Sequence, residues 1–118
     1  MFSIELFQTH LNTKFLGHGL KYIPQTNSTN ENTWEYFQNR SPEGTLFITD
    51  DQQKGKGRRQ NKWVSTKEKS LTFSFILQPN MQLEELGLLP LLAGVSIVKA
   101  IKSATSIKTG LKWPNDIM

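Results

Sequence analysis

Cysteine is absent from the 118 residues. Disulfide scaffolds, thiolate zinc sites and cysteine nucleophiles are thereby excluded. Histidine is scarce. His10 and His18 have no carboxylate at ligand spacing, so no metal site is expected. Long apolar runs are also missing. The most apolar stretch, Leu86 to Ile101, is interrupted by Pro90, Gly94, Ser96 and Lys99, so no bilayer-spanning segment and no membrane partner is expected. Residues 1–10 carry Glu5 and no basic cluster, unlike a secretory signal, and a cytoplasmic setting is the simple reading. Internal repeats and low-complexity tracts are lacking. With 36% hydrophobic and 20% charged residues, the mixture is that of a globular chain.

The charge present is unevenly placed. Lys54, Lys56, Arg58, Arg59 and Lys62 fall between Gln52 and Trp63 with no acid among them, and they account for the net charge of +4. A concentrated site for an anion explains this better than a generally basic surface.

The elements are read as follows. A strand is predicted over 20–23, stopped by Pro24; the residues before it give no clear signal. Ser28 and Glu31 have capping-box spacing and start a helix, with Trp34 and Phe37 on its apolar face. Ser41-Pro42-Glu43-Gly44 is turn chemistry, and 45–49 reads as a strand. Leu71, Phe73, Phe75 and Leu77 alternate with polar or smaller residues, predicting a half-buried strand with those four inward. A helix is predicted over 86–103, with Pro90 at its start and Leu91, Val95, Val98 and Ile101 as its core stripe. Ile107, Leu111 and Trp113 predict a last strand ended by Pro114, with Trp113 in the core. The order implies an α+β fold with a mostly antiparallel or mixed sheet.

Three short motifs carry chemistry. The glycine-rich basic loop 52–59 lets backbone N–H groups approach an anion while guanidinium groups pair with phosphate oxygens. It is not a Walker A loop, because no Gly-Lys-Ser/Thr follows. Its bland alternative is a solvated loop. Ser28-Thr29-Asn30 is at least a helix cap, and a helix N-terminus also has spare N–H donors for a ligand. Lys112-Trp113-Pro114-Asn115-Asp116 is at least a strand end and turn; Lys112 beside Asp116 reads as a buried, functional ion pair. Asp50 and Asp51 point to opposite faces of a strand and make a poor acid/base pair.

Together these motifs become specific. Ser28-Thr29-Asn30, then Gln53 with Gly55-Lys56-Gly57-Arg58-Arg59 and Trp63, then Lys112-Trp113-Pro114-Asn115-Asp116, occur in an order that resembles the biotin protein ligases, or holocarboxylase synthetases. The resemblance spans Tyr22 to Met118. It implies a class II aminoacyl-tRNA synthetase-like catalytic domain, a mixed, mostly antiparallel sheet flanked by helices. Residues 1–118 would be part of that domain, without its C-terminal strands and small C-terminal domain. The implied reaction joins ATP and biotin into biotinyl-5′-AMP, with Mg²⁺ as cofactor, then passes biotin to a lysine of a biotin carrier domain. The resemblance implies that Ser28, Thr29, Asn30, Gln53, Gly57, Arg58 and Arg59 bind biotin or its carboxylate. It implies that Lys56, Arg58, Arg59, Trp63, Lys112 and Asn115 meet the nucleotide, with Trp63 stacked on adenine. Arg58, Lys112 and Asp116 are the implied catalytic groups; Asn115 and Asp116 orient Lys112, the loop or Mg²⁺, and Asp116 helps deprotonate the acceptor lysine.

Departures from the family loop are Lys56 in place of an arginine and Gln60 in place of a glycine. The functional lysine that the family carries beyond the Trp-Pro-Asn-Asp motif, and the DNA-binding domain of some members, lie outside these residues, so no repressor role is expected. A homodimer stays open. The rivals are the lipoate ligase or octanoyltransferase branch of the same fold, and a nucleic-acid-binding module using residues 54–62 with Trp63 as a stacking platform.

Overall fold

The computed structural model describes residues 2–39 and 42–118. The chain forms two compact units, Met1–Gln78 and Pro79–Met118.

The first unit is built on a βαβ crossover. β1 (Leu20–Thr26) leads through α2 (Thr29–Gln38) to β2 (Leu46–Gln52), and the two strands pair in parallel, Tyr22 opposite Ile48. A helical crossover is the ordinary way to return a chain parallel to its previous strand. β5 (Thr72–Phe75) pairs antiparallel to β2, Ser74 opposite Phe47, so the sheet is mixed with order β1-β2-β5. A short helix, α1 (Ile4–His10), precedes the sheet, capped by Ser3, whose Oγ accepts from the Leu6 N–H at 3.2 Å. Between β2 and β5 lies a hairpin of β3 (Gly55–Lys56) and β4 (Lys62–Trp63).

Strand parity assigns the two faces of the sheet. Phe47 and Ser74 share the face against which α2 packs, where the Tyr36 ring lies 5.0 Å from that of Phe47. Leu46, Ile48, Phe73 and Phe75 share the opposite face, where Phe2 and Phe7 complete an apolar cavity of about 290 Å³. The buried apolar core among the described residues is Leu46, Phe47, Ile48 and Ile76.

Three sequence expectations change here, and a fourth is met only in part. The strand predicted to stop at Pro24 runs through it to Thr26. β1 lies at the sheet edge and Pro24 takes no part in the ladder, so its missing N–H costs no bond. The alternating strand is half-buried, but Ile76, on the other parity, is its most buried residue, while Leu71 is 72% exposed. The reason is that α2 covers the Ser74 face. Trp34, predicted on the apolar face of α2, is 65% exposed and meets Phe37 edge-on. Of the predicted turn, Ser41 lies outside the described residues; Gly44 has φ +85° and the Thr45 N–H donates to Pro42 O at 3.2 Å.

The second unit holds α3 (Leu88–Thr105) and a hairpin of β6 (Leu111–Lys112) and β7 (Asp116–Ile117). Pro90 sits in the first turn of α3 and does not break it. Helical structure extends over Leu83–Thr105, 23 residues that by length and composition alone are apolar enough to cross a membrane. The expectation that no segment could span a bilayer is therefore not met by length and composition, since Gly94, Ser96 and Lys99 interrupt the apolar run but not the helix. The predicted core stripe is only partly inward, with Val95 44% exposed, and Gly94 is the buried residue of α3. A Cβ there would lie 2.6 Å from Leu111 Cδ1, so the missing side chain is what lets β6 approach. The single predicted last strand is instead this hairpin. Trp113 and Pro114 form its turn, and Trp113 is 70% exposed rather than in the core.

Candidate binding site

The polar centre of the first unit lies where α2 begins. Ser28 and Thr29 are buried. Ser28 caps the helix, its Oγ accepting from the Glu31 N–H at 3.4 Å. The Thr29 N–H, one of the donors a helix start leaves without an intrahelical partner, donates to Gln52 Oε1 at 3.0 Å. The Thr29 hydroxyl lies 2.8 Å from Ser74 Oγ, and Ser74 donates to Asn30 Oδ1 at 2.6 Å. Ser28-Thr29-Asn30 is thus more than a cap: it ties α2 to the end of β2 and to the middle of β5.

Gln52, not Gln53, makes the contact with Thr29; Gln53 is exposed. Adjacent glutamines offer the same chemistry, and only the strand register decides which one turns toward the helix. Sequence reasoning also passed over Ser74, whose place in an alternating strand gives no hint of a hydroxyl partner 45 residues away.

The basic loop is a hairpin rather than an irregular coil. Gly55 pairs with Trp63 and Lys56 with Lys62, and the Gly57 N–H donates to Asn61 O at 2.6 Å. Arg58, Arg59 and Gln60 make a single turn at its tip, with Arg59 at φ 54° and Gln60 at φ 64°. These left-handed conformations cost a non-glycine residue about 1–2 kcal/mol each. Gln60, the departure from the family loop, therefore occupies a position that glycine would take without strain. At Gly55 the demand is space: a Cβ would lie 2.5 Å from Gln52 Nε2 and 2.6 Å from Trp63 O.

A cavity of about 840 Å³ opens between the end of β2 and this hairpin, lined among others by Gln52, Gln53, Lys54, Lys56, Lys62 and Trp63. Trp63 is 54% exposed. Arg58 and Arg59 are exposed at the hairpin tip, and neither lines the cavity. Lys56 Nζ lies 3.0 Å from Glu31 Oε1, the one ion pair among the described residues. Both side chains are well exposed, so the pair leaves Lys56 free to exchange partners.

Lys112, Asn115 and Asp116 lie in the second unit. Lys112 and Asp116 are cross-strand partners, but both are exposed and form no ion pair within the described residues. The expected buried pair is thus corrected: a two-residue hairpin has nothing to bury it. No cluster of three or more His, Cys, Asp or Glu occurs among the described residues, so they offer no all-protein cage for a metal ion. Outside the cavity, the Tyr22 hydroxyl donates to Asp50 Oδ2, which holds the phenol above its usual 10.0, with burial and the Asp50 charge adding to the effect.

The sequence model of the biotin/lipoate A/B protein ligase family matches residues 22–118. The chain belongs to this family. Its relatives include the bifunctional ligase/repressor BirA of Bacillus subtilis, 39% identical over 108 residues, covering 92% of this chain and 33% of that protein. The chloroplastic biotin–protein ligase 1 of Arabidopsis thaliana is 30% identical, over 98% of this chain and 32% of that protein. Among solved structures, the biotin protein ligase of Aquifex aeolicus in complex with biotin and ATP superposes with a TM-score of 0.74 at 38% identity, covering 85% of this chain and 41% of that one. The chain thus spans about a third of the length of the curated relatives it matches. The fold is part of that of the biotin protein ligase catalytic domains, a mixed sheet with helices, as the resemblance implied.

Proposed function

We propose that this chain belongs to a biotin protein ligase, in which biotin and ATP form biotinyl-5′-AMP and the biotinyl group passes to a lysine of a biotin carrier domain. The observation that carries the reading is one cavity lined both by Gln52, which accepts from the buried Thr29 at the start of α2, and by the lysines of a cation-rich hairpin. The matched relatives support biotin over lipoate, since each of those cited above carries biotin or BirA in its name.

In the first step a biotin carboxylate oxygen attacks the α-phosphorus of ATP. The P–O bond to the β-phosphate breaks and pyrophosphate leaves. A carboxylate and a triphosphate repel each other, so the step needs positive charge where they meet. Lys56, Arg58 and Arg59 are the cations proposed to supply it, and the Gly57 backbone lets the hairpin lie close to the ligand. Closure of the tip over the adenylate would exclude water from a hydrolysable mixed anhydride. In the second step the carrier lysine, as free amine, attacks the acyl carbon; the C–O bond to phosphate breaks and AMP leaves. Ser28, Thr29 and Asn30 are proposed around biotin, with Gln52 taking the role expected of Gln53. Trp63 is proposed as the adenine platform. Lys112 and Asn115 for phosphate oxygens, and Asp116 for the amine proton, rest on the motif resemblance alone. Mg²⁺ is proposed to enter with ATP, held chiefly by phosphate oxygens. The cytoplasm is the proposed setting, since residues 1–10 carry Glu5 and no basic cluster.

The test is titration of the full chain with a non-hydrolysable biotinyl-AMP analogue. Saturable binding, displaced by biotin and not by lipoate, is the expected result. Displacement by lipoate instead moves the chain to the lipoate branch. No binding by a folded chain, together with charge-dependent binding of single-stranded nucleic acid, overturns the ligase reading.

A further inference from the structure

Lys56 stands between charges of opposite sign. Across the hairpin ladder its direct partner is Lys62, and like charges in that relation repel. Both lysines line the cavity. Toward α2, Lys56 Nζ meets Glu31 Oε1 at 3.0 Å. Asp51, the acid in the cavity lining, forms no ion pair with the hairpin among the described residues.

The base of the hairpin is held by backbone. The Gln53 N–H donates to Thr26 O at 2.9 Å and the Lys54 N–H to Asn27 O at 2.8 Å. Beyond that base, Lys56–Glu31 is the one side-chain hydrogen bond, among the described residues, that joins 55–63 to the rest of the chain. Glu31 itself is fixed by α2, where its backbone N–H donates to Ser28 Oγ. An anion in the cavity and Glu31 therefore need the same ammonium group. An ammonium is a compact point charge without the guanidinium fork, and it makes a single contact with the carboxylate here. We infer that Glu31 is a positioning residue: it is the resident counter-ion of Lys56, it holds the ligand-free hairpin toward α2 against the Lys56–Lys62 repulsion, and an entering phosphate group must displace it. Glu31 touches no ligand; it sets how tightly the hairpin takes an anion. The inference rests on the ligase reading for the identity of that anion.

The probe is inorganic pyrophosphate, titrated by calorimetry into the full chain at low ionic strength, where exposed charges are least screened. Glu31→Gln keeps the helix start, because the contact with Ser28 is made by backbone. It is expected to tighten pyrophosphate binding about 2- to 5-fold, the worth of an exposed ion pair. Lys56→Gln is expected to weaken binding, and adding Glu31→Gln to it should change nothing further. Glu35→Gln, an exposed glutamate of the same helix outside any ion pair among the described residues, controls for a general loss of negative charge. Tightening confined to Glu31→Gln and dependent on Lys56 is the expected result. Equal tightening from Glu35→Gln, tightening that persists without Lys56, unchanged affinity in Glu31→Gln, or no pyrophosphate binding by the folded chain each overturn the inference. The biotinyl-AMP analogue titration judges the ligase reading separately, so the two failures are told apart.

Discussion

Gly55 and Gly57 stand two residues apart in one motif and do different things. Gly55 is buried where its own strand meets Trp63 and the Gln52 side chain, and no Cβ fits. At Gly57 the nearest atom to a Cβ is Asn61 O at 3.4 Å, so a methyl group is nearly accommodated. Gly55→Ala is therefore expected to destabilise by about 1–3 kcal/mol through overpacking, with Gln52 displaced from Thr29. Gly57→Ala should cost no more than about 0.5 kcal/mol. Urea denaturation of the two variants checks this, and equal losses would refute it. The motif was legible as Gly-Lys-Gly-Arg-Arg, but the division of labour within it was not, because close approach is a property of the neighbours. The same holds for Gln52 and Gln53: side-chain chemistry is identical, and only the end of β2 distinguishes them.

At the scale of elements, what was legible had local causes. α2 starts where Ser28 and Glu31 predict, because a cap is a contact between residues three apart. α1 gave no clear signal because its seven residues are less than two helical turns, too short for an apolar period to stand out, although Ser3 caps it in the same way. β1 passes through Pro24 because it is an edge strand, and edge position is a tertiary fact. The tie between the parallel strands β1 and β2 includes the Tyr22–Asp50 hydrogen bond. Its pH dependence follows from the raised phenol. A folded-state value above the usual 10.0 means the native state holds the proton more firmly than the unfolded chain. The contribution is therefore complete below pH 10.0 and is lost as pH rises through the folded-state value. Titration of phenolate absorbance should show one tyrosine ionising late, and Asp50→Asn should bring it down toward the ordinary value. An unchanged titration in that variant would remove Asp50 as the cause.

Over the whole molecule, the described core has four buried hydrophobic side chains, while many large apolar ones, Trp34, Leu71, Leu83, Leu92 and Trp113 among them, lie exposed. The isolated 118-residue chain is expected to bind anilinonaphthalene sulfonate strongly under native conditions and to lose that binding in urea. A native chain that leaves the dye dark would contradict the exposure. Two units of separate internal packing, Met1–Gln78 and Pro79–Met118, also bear on the motifs: two of the three lie in the first unit and the third in the second.

The sequence by itself determined the family, through three ordered motifs, and with it the mixed α+β fold, since glycines, caps and clustered cations are written in local residue types. The parallel register of β1 and β2, the choice of Gln52, the hydroxyl of Ser74 and the hairpin made of Trp113 and its neighbours were decided only in three dimensions. Each depends on which residue distant in the chain lies opposite, and the energy of a hydrogen bond or a close contact depends on that partner rather than on the residue alone.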